Sequence, residues 1–313
     1  MLRLVLVKIY VKRKYPALDF YAEPNEGALK QKNAALLHQV VGIIVNNTDT
    51  TVLTICLGAK SLLEVSVYGI YMMVVNAVNQ LMTSFSNGLT AGFGEVIAKN
   101  EEETLKKSYS SYEYMYFVIM FIVIACMGVL ILPLVGIYTI NLTDVQYVRP
   151  VLGILFTLIV FMQNVRIPGL TIICAAGHYK ETRYQAILEA VINITVSLGL
   201  VWKFGMAGVL LGTVCSYGYR SFEIVFYTSR HLVKGCAKKS MFRILRNVFT
   251  VAILCTVGTY VIPQEITSFT TWFLYAIGMG LTSVFFVVLI NFVVEPDEFM
   301  QLRHRVNDII KKE

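Results

Sequence analysis

Between Ala34 and Leu57 the chain reads AALLHQVVGIIVNNTDTTVLTICL, an apolar stretch of membrane-crossing length that nevertheless carries His38, Gln39, Asn46, Asn47 and Asp49. At about 100° per residue, His38, Gln39, Gly42, Asn46, Asp49 and Thr50 share one helix face, and Leu37, Val40, Val41, Ile44 and Val45 cover the other. Polar and ionisable side chains are costly inside a bilayer and face a bundle interior or a watery cavity. The wedge therefore either lines such a cavity or holds neighbouring helices by hydrogen bonds.

Three further constellations carry chemistry. Gln185, Glu189, Asn193 and Ser197 follow one another at i+4, a polar ridge along one helix. Gly208, Gly212 and Ser216 form a small-residue seam that lets another helix approach closely, with Arg220 at its end and Glu223 three residues on. Gln163, Asn164 and Arg166 precede Pro168, which is expected to kink their helix. Counted from the ends of their spans, Arg166, Arg220 and Glu189 fall in the cytoplasmic half and Asp49 in the outer half. The arginines have two readings. They are structural ion pairs or snorkelling cations, or they form a cationic pocket open to the inner leaflet and suited to a phosphorylated headgroup.

The elements that must position these residues are membrane helices. A chain of 313 residues that is 56% hydrophobic and only 15% charged is not a soluble globular protein, and its apolar runs of helix length indicate an all-α, polytopic membrane protein. Eight transmembrane helices are expected, over about 34–57, 62–85, 113–137, 148–174, 183–202, 206–229, 243–262 and 270–294. The net charge of +7 reflects basic loops rather than nucleic-acid binding, since no basic-aromatic module accompanies it. Of the 27 Lys and Arg residues, Arg166 and Arg220 lie within spans, and the alternate connections hold only Lys60, Arg149 and Lys203. All others fall on the opposite side, which puts both termini in the cytoplasm. The six cysteines form no CxxC pair and the four histidines no cluster, so neither a disulfide framework nor a metal or other cofactor is expected.

Residues 1–33 read as the cytoplasmic end of a helix whose body is absent, followed by a polar connection. Residues 295–313 place Phe299, Leu302, Val306 and Ile309 at helical spacing among basic residues. That spacing predicts an amphipathic cytoplasmic helix lying on the membrane surface.

The segments VNNTDTTVLT (45–54), VSVYGIYMMV (65–74), AAGHYKET (175–182), ILEAVINITVSLGLV (187–201), GVLLGT (208–213) and YR (219–220) together resemble bacterial polysaccharide-biosynthesis membrane proteins. Those are the Wzx-type oligosaccharide-lipid flippases of the multidrug/oligosaccharidyl-lipid/polysaccharide exporter superfamily. The resemblance runs from residue 1 to about 235, and more weakly to the end. It implies two six-helix lobes around a central cavity, of which residues 34–235 would be the second and 236–294 an additional helix pair. The first lobe would be missing, or supplied in trans.

By the same resemblance, the cargo is an undecaprenyl-diphosphate-linked oligosaccharide moved across the cytoplasmic membrane by alternating access. Its binding residues would be drawn from His38, Gln39, Asn46, Asp49, Arg166, Glu189, Asn193, Arg220 and Glu223. Asp49 and Glu189 are also candidates for a protonation or cation site. An enzyme of the same pathway would need a large outer loop or a soluble domain with a carboxylate-metal motif, and the chain has neither. The alternatives carried forward are a non-transporting remnant or accessory subunit, and a drug or cation exporter of the same superfamily.

Overall fold

A computed structural model describes residues 2–16, 31–263 and 265–300. Eleven α-helices account for nearly all of these residues: α1 (Leu2–Lys14), α2 (Lys32–Cys56), α3 (Ser61–Ser86), α4 (Leu89–Ala98), α5 (Glu102–Tyr138), α6 (Pro150–Val165), α7 (Ile167–Ala175), α8 (Arg183–Phe204), α9 (Met206–His231), α10 (Ala237–Val261) and α11 (Phe269–Val294). No strand occurs among the described residues. Residues 17–30 of the expected polar connection (17–33), Gln264 and the tail beyond Met300 lie outside the described residues.

Among the described residues, six segments are long and apolar enough to cross a membrane: Gly58–Ala98, Glu102–Tyr138, Pro150–Ala175, Arg183–Phe204, Ala237–Val261 and Phe269–Val294. The chain is therefore a polytopic helical membrane protein. Helices α2 and α9, with 25 and 26 residues, are also long enough for a bilayer core of about 30 Å. Their composition is too polar to place them among those six. These two helices carry most of the candidate site, and the polarity that sets them apart is turned into the bundle at Asp49, Thr213, Ser216 and Arg220, all buried.

The span boundaries differ from the sequence-based ones where polar turns continue a helix. Helix α5 starts at Glu102 rather than near 113, because Glu102–Ser111 is polar but contains no helix breaker. The expected kink in 148–174 is a full interruption at Arg166, which ends α6 and begins α7, with Pro168 in the first turn of α7. Helix α4 lies in what the sequence presented as a plain connection. It packs Phe93 against Tyr112 of α5, ring centroids 5.6 Å apart.

The closest helix pair is α8 with α9. A Cβ on Gly212 would collide with Ser197 Oγ, and one on Gly208 with the Leu200 carbonyl. The small-residue seam therefore brings the two backbones together, with Gly205 (φ +56°) making the tight reversal between them. Helices α2, α3 and α6 complete the wall around this pair. Helices α10 and α11 pack on the far side of α5, where Gly258 admits Val129 and Trp272 Nε1 donates to the Leu130 carbonyl at 3.2 Å.

Candidate functional site

At the interruption between α6 and α7, where the Arg166 carbonyl accepts from Leu170 N–H at 2.9 Å to begin α7, the Arg166 side chain reaches α8 and Glu189 receives its guanidinium. Arg220, at the end of the small-residue seam, pairs with Glu223 one turn on and holds its Nε 3.6 Å from Glu189. The four groups form a continuous ion-pair network with no formal net charge. Arg220 is almost fully buried and Arg166 largely so, with side chains 3% and 15% exposed. The Arg166 guanidinium also lies over the Tyr217 ring, 4.5 Å from its centroid.

This network forms one wall of a cavity of about 670 Å³. His38, Gln39 and Asn46 of α2 line the opposite wall, with Arg166, Glu189 and Arg220 facing them. The remaining lining is mostly apolar, including Val41, Leu170 and Ile224. His38 is oriented by the turn that leads into α8: its Nε2 is 3.0 Å from the Tyr179 carbonyl and 3.3 Å from Thr182 Oγ1. Glu223 and Asn193 do not line this cavity.

Asp49 belongs to a second cluster, nearer the far ends of α2 and α9. Thr213 Oγ1 donates to Asp49 Oδ1 at 2.7 Å, Tyr68 Oη donates to Oδ2 at 3.3 Å, and Asn193 Nδ2 donates to Thr213 Oγ1 at 3.0 Å. Asn193 is completely buried, and its Oδ1 has no partner among the described residues. The nine sequence-derived residues thus divide. His38, Gln39, Asn46, Arg166, Glu189 and Arg220 meet in one cavity, with Glu223 behind it. Asp49 and Asn193 are tied together one layer away.

Tyr217 was not singled out from the sequence. Its Oη donates to Asn46 Oδ1 at 3.2 Å while its ring carries Arg166. One tyrosine among 18 gives no periodic signal. Its place one residue after Ser216 on the seam was the available clue.

A second charged cluster was also missed, at the ends of α5, α10 and α11. Arg243, completely buried, donates to Glu113 Oε2 at 3.0 Å and to the Ser110 carbonyl at 3.0 Å, and its Nη2 lies 3.0 Å from Glu295. Lys239 bonds Glu298 at 2.6 Å, and Arg246 bonds Glu295 at 2.9 Å. In the sequence these cations read as ordinary loop charges. Only Glu113, alone in an aromatic-rich stretch, hinted at a buried partner. Among the described residues no group of three or more His, Cys, Asp or Glu side chains is arranged to hold a metal ion.

Fold and site together define a polytopic helical membrane protein with a cavity lined by Lys32, Arg166, Arg220 and Glu189. No protein-family model and no curated protein matches the chain.

Proposed function

We propose that the chain is the cavity-bearing lobe of a membrane transporter, a flippase for polyprenyl-diphosphate-linked oligosaccharide. The observation that carries this reading is the cavity of about 670 Å³ between helices of membrane-crossing length, where Lys32, Arg166 and Arg220 outnumber the one lining carboxylate, Glu189, beside apolar residues such as Val41, Leu170 and Ile224. A site of that size, mostly apolar with a few convergent polar groups, suits an amphiphile. The six segment resemblances in the sequence point to the same class. In this reading α2 and α9 also cross the bilayer, giving eight spans, and the termini face the cytoplasm. Residues 34–235 act as one transporter lobe, with 236–294 as an added helix pair. Gln39, Val40, Ile43, Asn46 and Asn47 of α2 are exposed and form the face on which a complementary lobe would close.

The chemistry is an exchange of partners. A diphosphate entering the cavity competes with Glu189 and Glu223 for Arg166 and Arg220. A guanidinium grips phosphate through two parallel hydrogen bonds that low local polarity strengthens. Transport then requires the carboxylates to take the two arginines back in each cycle, which avoids trapping the cargo.

The ion pairing of both arginines with carboxylates favours a second reading, a non-transporting membrane subunit whose ion pairs are structural. Reconstitution separates the two. Liposomes carrying the protein, alone or with a first-lobe fragment, should move a fluorescent polyprenyl-diphosphate oligosaccharide between leaflets faster than empty liposomes. Equal rates in both preparations would leave the structural reading.

A further inference from the structure

Between α6, α9 and α10 runs a half-open groove of about 210 Å³. Phe161 and Met162 of α6, Phe222 and Val225 of α9, and Leu245 and Val248 of α10 form its walls. The one polar side chain in the lining is Ser221, whose hydroxyl already donates to the Met162 carbonyl at 2.6 Å. No hydrogen-bonding side chain is left to receive a polar ligand. The groove is also smaller than the about 300–1,000 Å³ usual for drug-sized ligands, and suits a length of hydrocarbon chain.

The groove exists because α10 is held elsewhere. Buried Arg243 ties α10 to Glu113 of α5 at 3.0 Å. The Ala237 N–H donates to Ser229 Oγ at 3.0 Å and fixes the start of α10 against the end of α9. Past that pin the two helices leave the groove between them.

At the pinned end each helix presents a cation. On α10, Lys238, Met241, Leu245 and Val248 follow one another along one face, and on α9, Phe222, Phe226 and Arg230 do the same at i+4. Arg230 and Lys238 are exposed and form no ion pair among the described residues. Their neighbours differ, since Lys234 pairs with Glu102 at 3.6 Å and Lys239 bonds Glu298 at 2.6 Å. From Lys238 to Val248 the helix rises about 15 Å, half the thickness of a hydrocarbon core of about 30 Å. Groove and cations therefore match a molecule confined to one leaflet, with an acidic head and an apolar chain.

We propose that the groove binds an acidic glycerophospholipid, with one acyl chain between α9 and α10 and the phosphate between Arg230 and Lys238. Two cations without a carboxylate favour a headgroup of net negative charge over a zwitterion, which brings its own cation. Bound there, the lipid fills the gap between α9 and α10 and joins the two helices through apolar contact. The groove shares no lining residue with the charged cavity, so the lipid site stands whatever that cavity carries.

The test uses the full chain in lipid nanodiscs, with its two native tryptophans, Trp202 and Trp272, replaced by Phe. Phe222→Trp reports on the groove. Phe249→Trp, at a position 70% exposed on α10 and outside the groove lining, reports on ordinary surrounding lipid. Fluorescence quenching is followed as phosphatidylglycerol or phosphatidylcholine with brominated acyl chains is titrated into the discs.

Half-quenching of Phe222→Trp should need about tenfold less of the phosphatidylglycerol than of the phosphatidylcholine, a difference of roughly 1.4 kcal/mol. Phe249→Trp should respond equally to both lipids. Adding Arg230→Gln and Lys238→Gln, which remove exposed charges, should abolish the preference at Phe222→Trp. Equal quenching of Phe222→Trp by the two lipids overturns the proposal, as does an equal preference at Phe249→Trp from general enrichment around the protein. A preference that survives the double substitution overturns it too. Leu245→Trp on the facing wall carries the same expectations and replaces Phe222→Trp if that variant does not assemble.

Discussion

The Glu189 carboxylate on α8 binds the Arg166 guanidinium at the interruption between α6 and α7, closing a helix break with an ion pair. The same carboxylate lies 3.6 Å from Arg220 Nε, so one acid on α8 ties two other elements together. Any ligand that takes Arg166 from Glu189 acts at a point where the helix is already discontinuous. A shift there changes the angle between α6 and α7 without breaking regular backbone hydrogen bonds.

The Arg220–Glu223 pair offers a direct separation of packing from ligand binding. Removing one member of a buried pair leaves an uncompensated charge and costs about 3–5 kcal/mol. If pairing is the only role, Arg220→Ala and Glu223→Ala should each lower membrane abundance, and the double variant should restore both abundance and glycan export. The transporter reading expects the double variant to recover abundance alone. Quantitative immunoblotting beside an export assay distinguishes these outcomes.

Helix approach along the small-residue seam should be unforgiving. Gly212→Leu forces a side chain into Ser197 and the α8 backbone, and overpacking of this kind costs about 1–3 kcal/mol. Gly199→Ala, on the same helix pair with nothing within 4 Å of the added Cβ, should be neutral or slightly stabilising. Thermal midpoints in nanodiscs check the contrast, and similar midpoints for both variants would count against the packing described.

Arg243→Ala should be among the most damaging single changes outside the cavity, at about 3–5 kcal/mol, because it strands the buried Glu113 without a cation. Lys99→Ala breaks a pair whose side chains are 59% and 67% exposed, so its effect should stay below about 1 kcal/mol. Comparing denaturation of the two variants in the same bilayer tests whether the cluster anchors α10 and α11 to α5.

Glu298 lies beyond the last membrane helix. Burial alone would raise its pKa, but hydrogen bonds from Lys239 and Ser110, with the charges of Lys239 and Arg243, outweigh burial and hold it below its ordinary 4.5. A depressed carboxylate favours the docked form fully above its free value and loses that contribution as pH falls through the lowered one. The protection of the Phe299 and Met300 amides relative to their intrinsic exchange rates should therefore be constant from neutral pH down to about 5 and fall below that. Glu298→Gln should abolish this pH-dependent loss of protection, and a wild-type profile with constant protection would contradict the docking contribution.

Much of this architecture was legible in the sequence because membrane helices are written in long apolar runs. The seam Gly208–Gly212–Ser216 and the break before Pro168 could be read from residue type and spacing alone. The exchange of Glu189 between two arginines could not, because it joins residues on three separate elements whose relative rotation only packing sets. The start of α5 was hidden for a different reason. Hydropathy reports where a helix enters apolar surroundings and says nothing of polar turns that continue it outward. The Arg243 cluster escaped because a cation near a span end looks the same in sequence whether it faces water or a buried carboxylate.

The most direct measurement is equilibrium binding of a polyprenyl diphosphate to the purified chain in nanodiscs, comparing wild type with Arg220→Ala and Glu189→Gln. Saturable binding to wild type should weaken at least about tenfold in Arg220→Ala, a loss of roughly 1.4 kcal/mol. It should strengthen in Glu189→Gln, where Arg166 and Arg220 no longer share an internal carboxylate. Equal affinity in all three proteins, or no saturable binding to any of them, would contradict the assignment of the paired arginines to an anionic cargo.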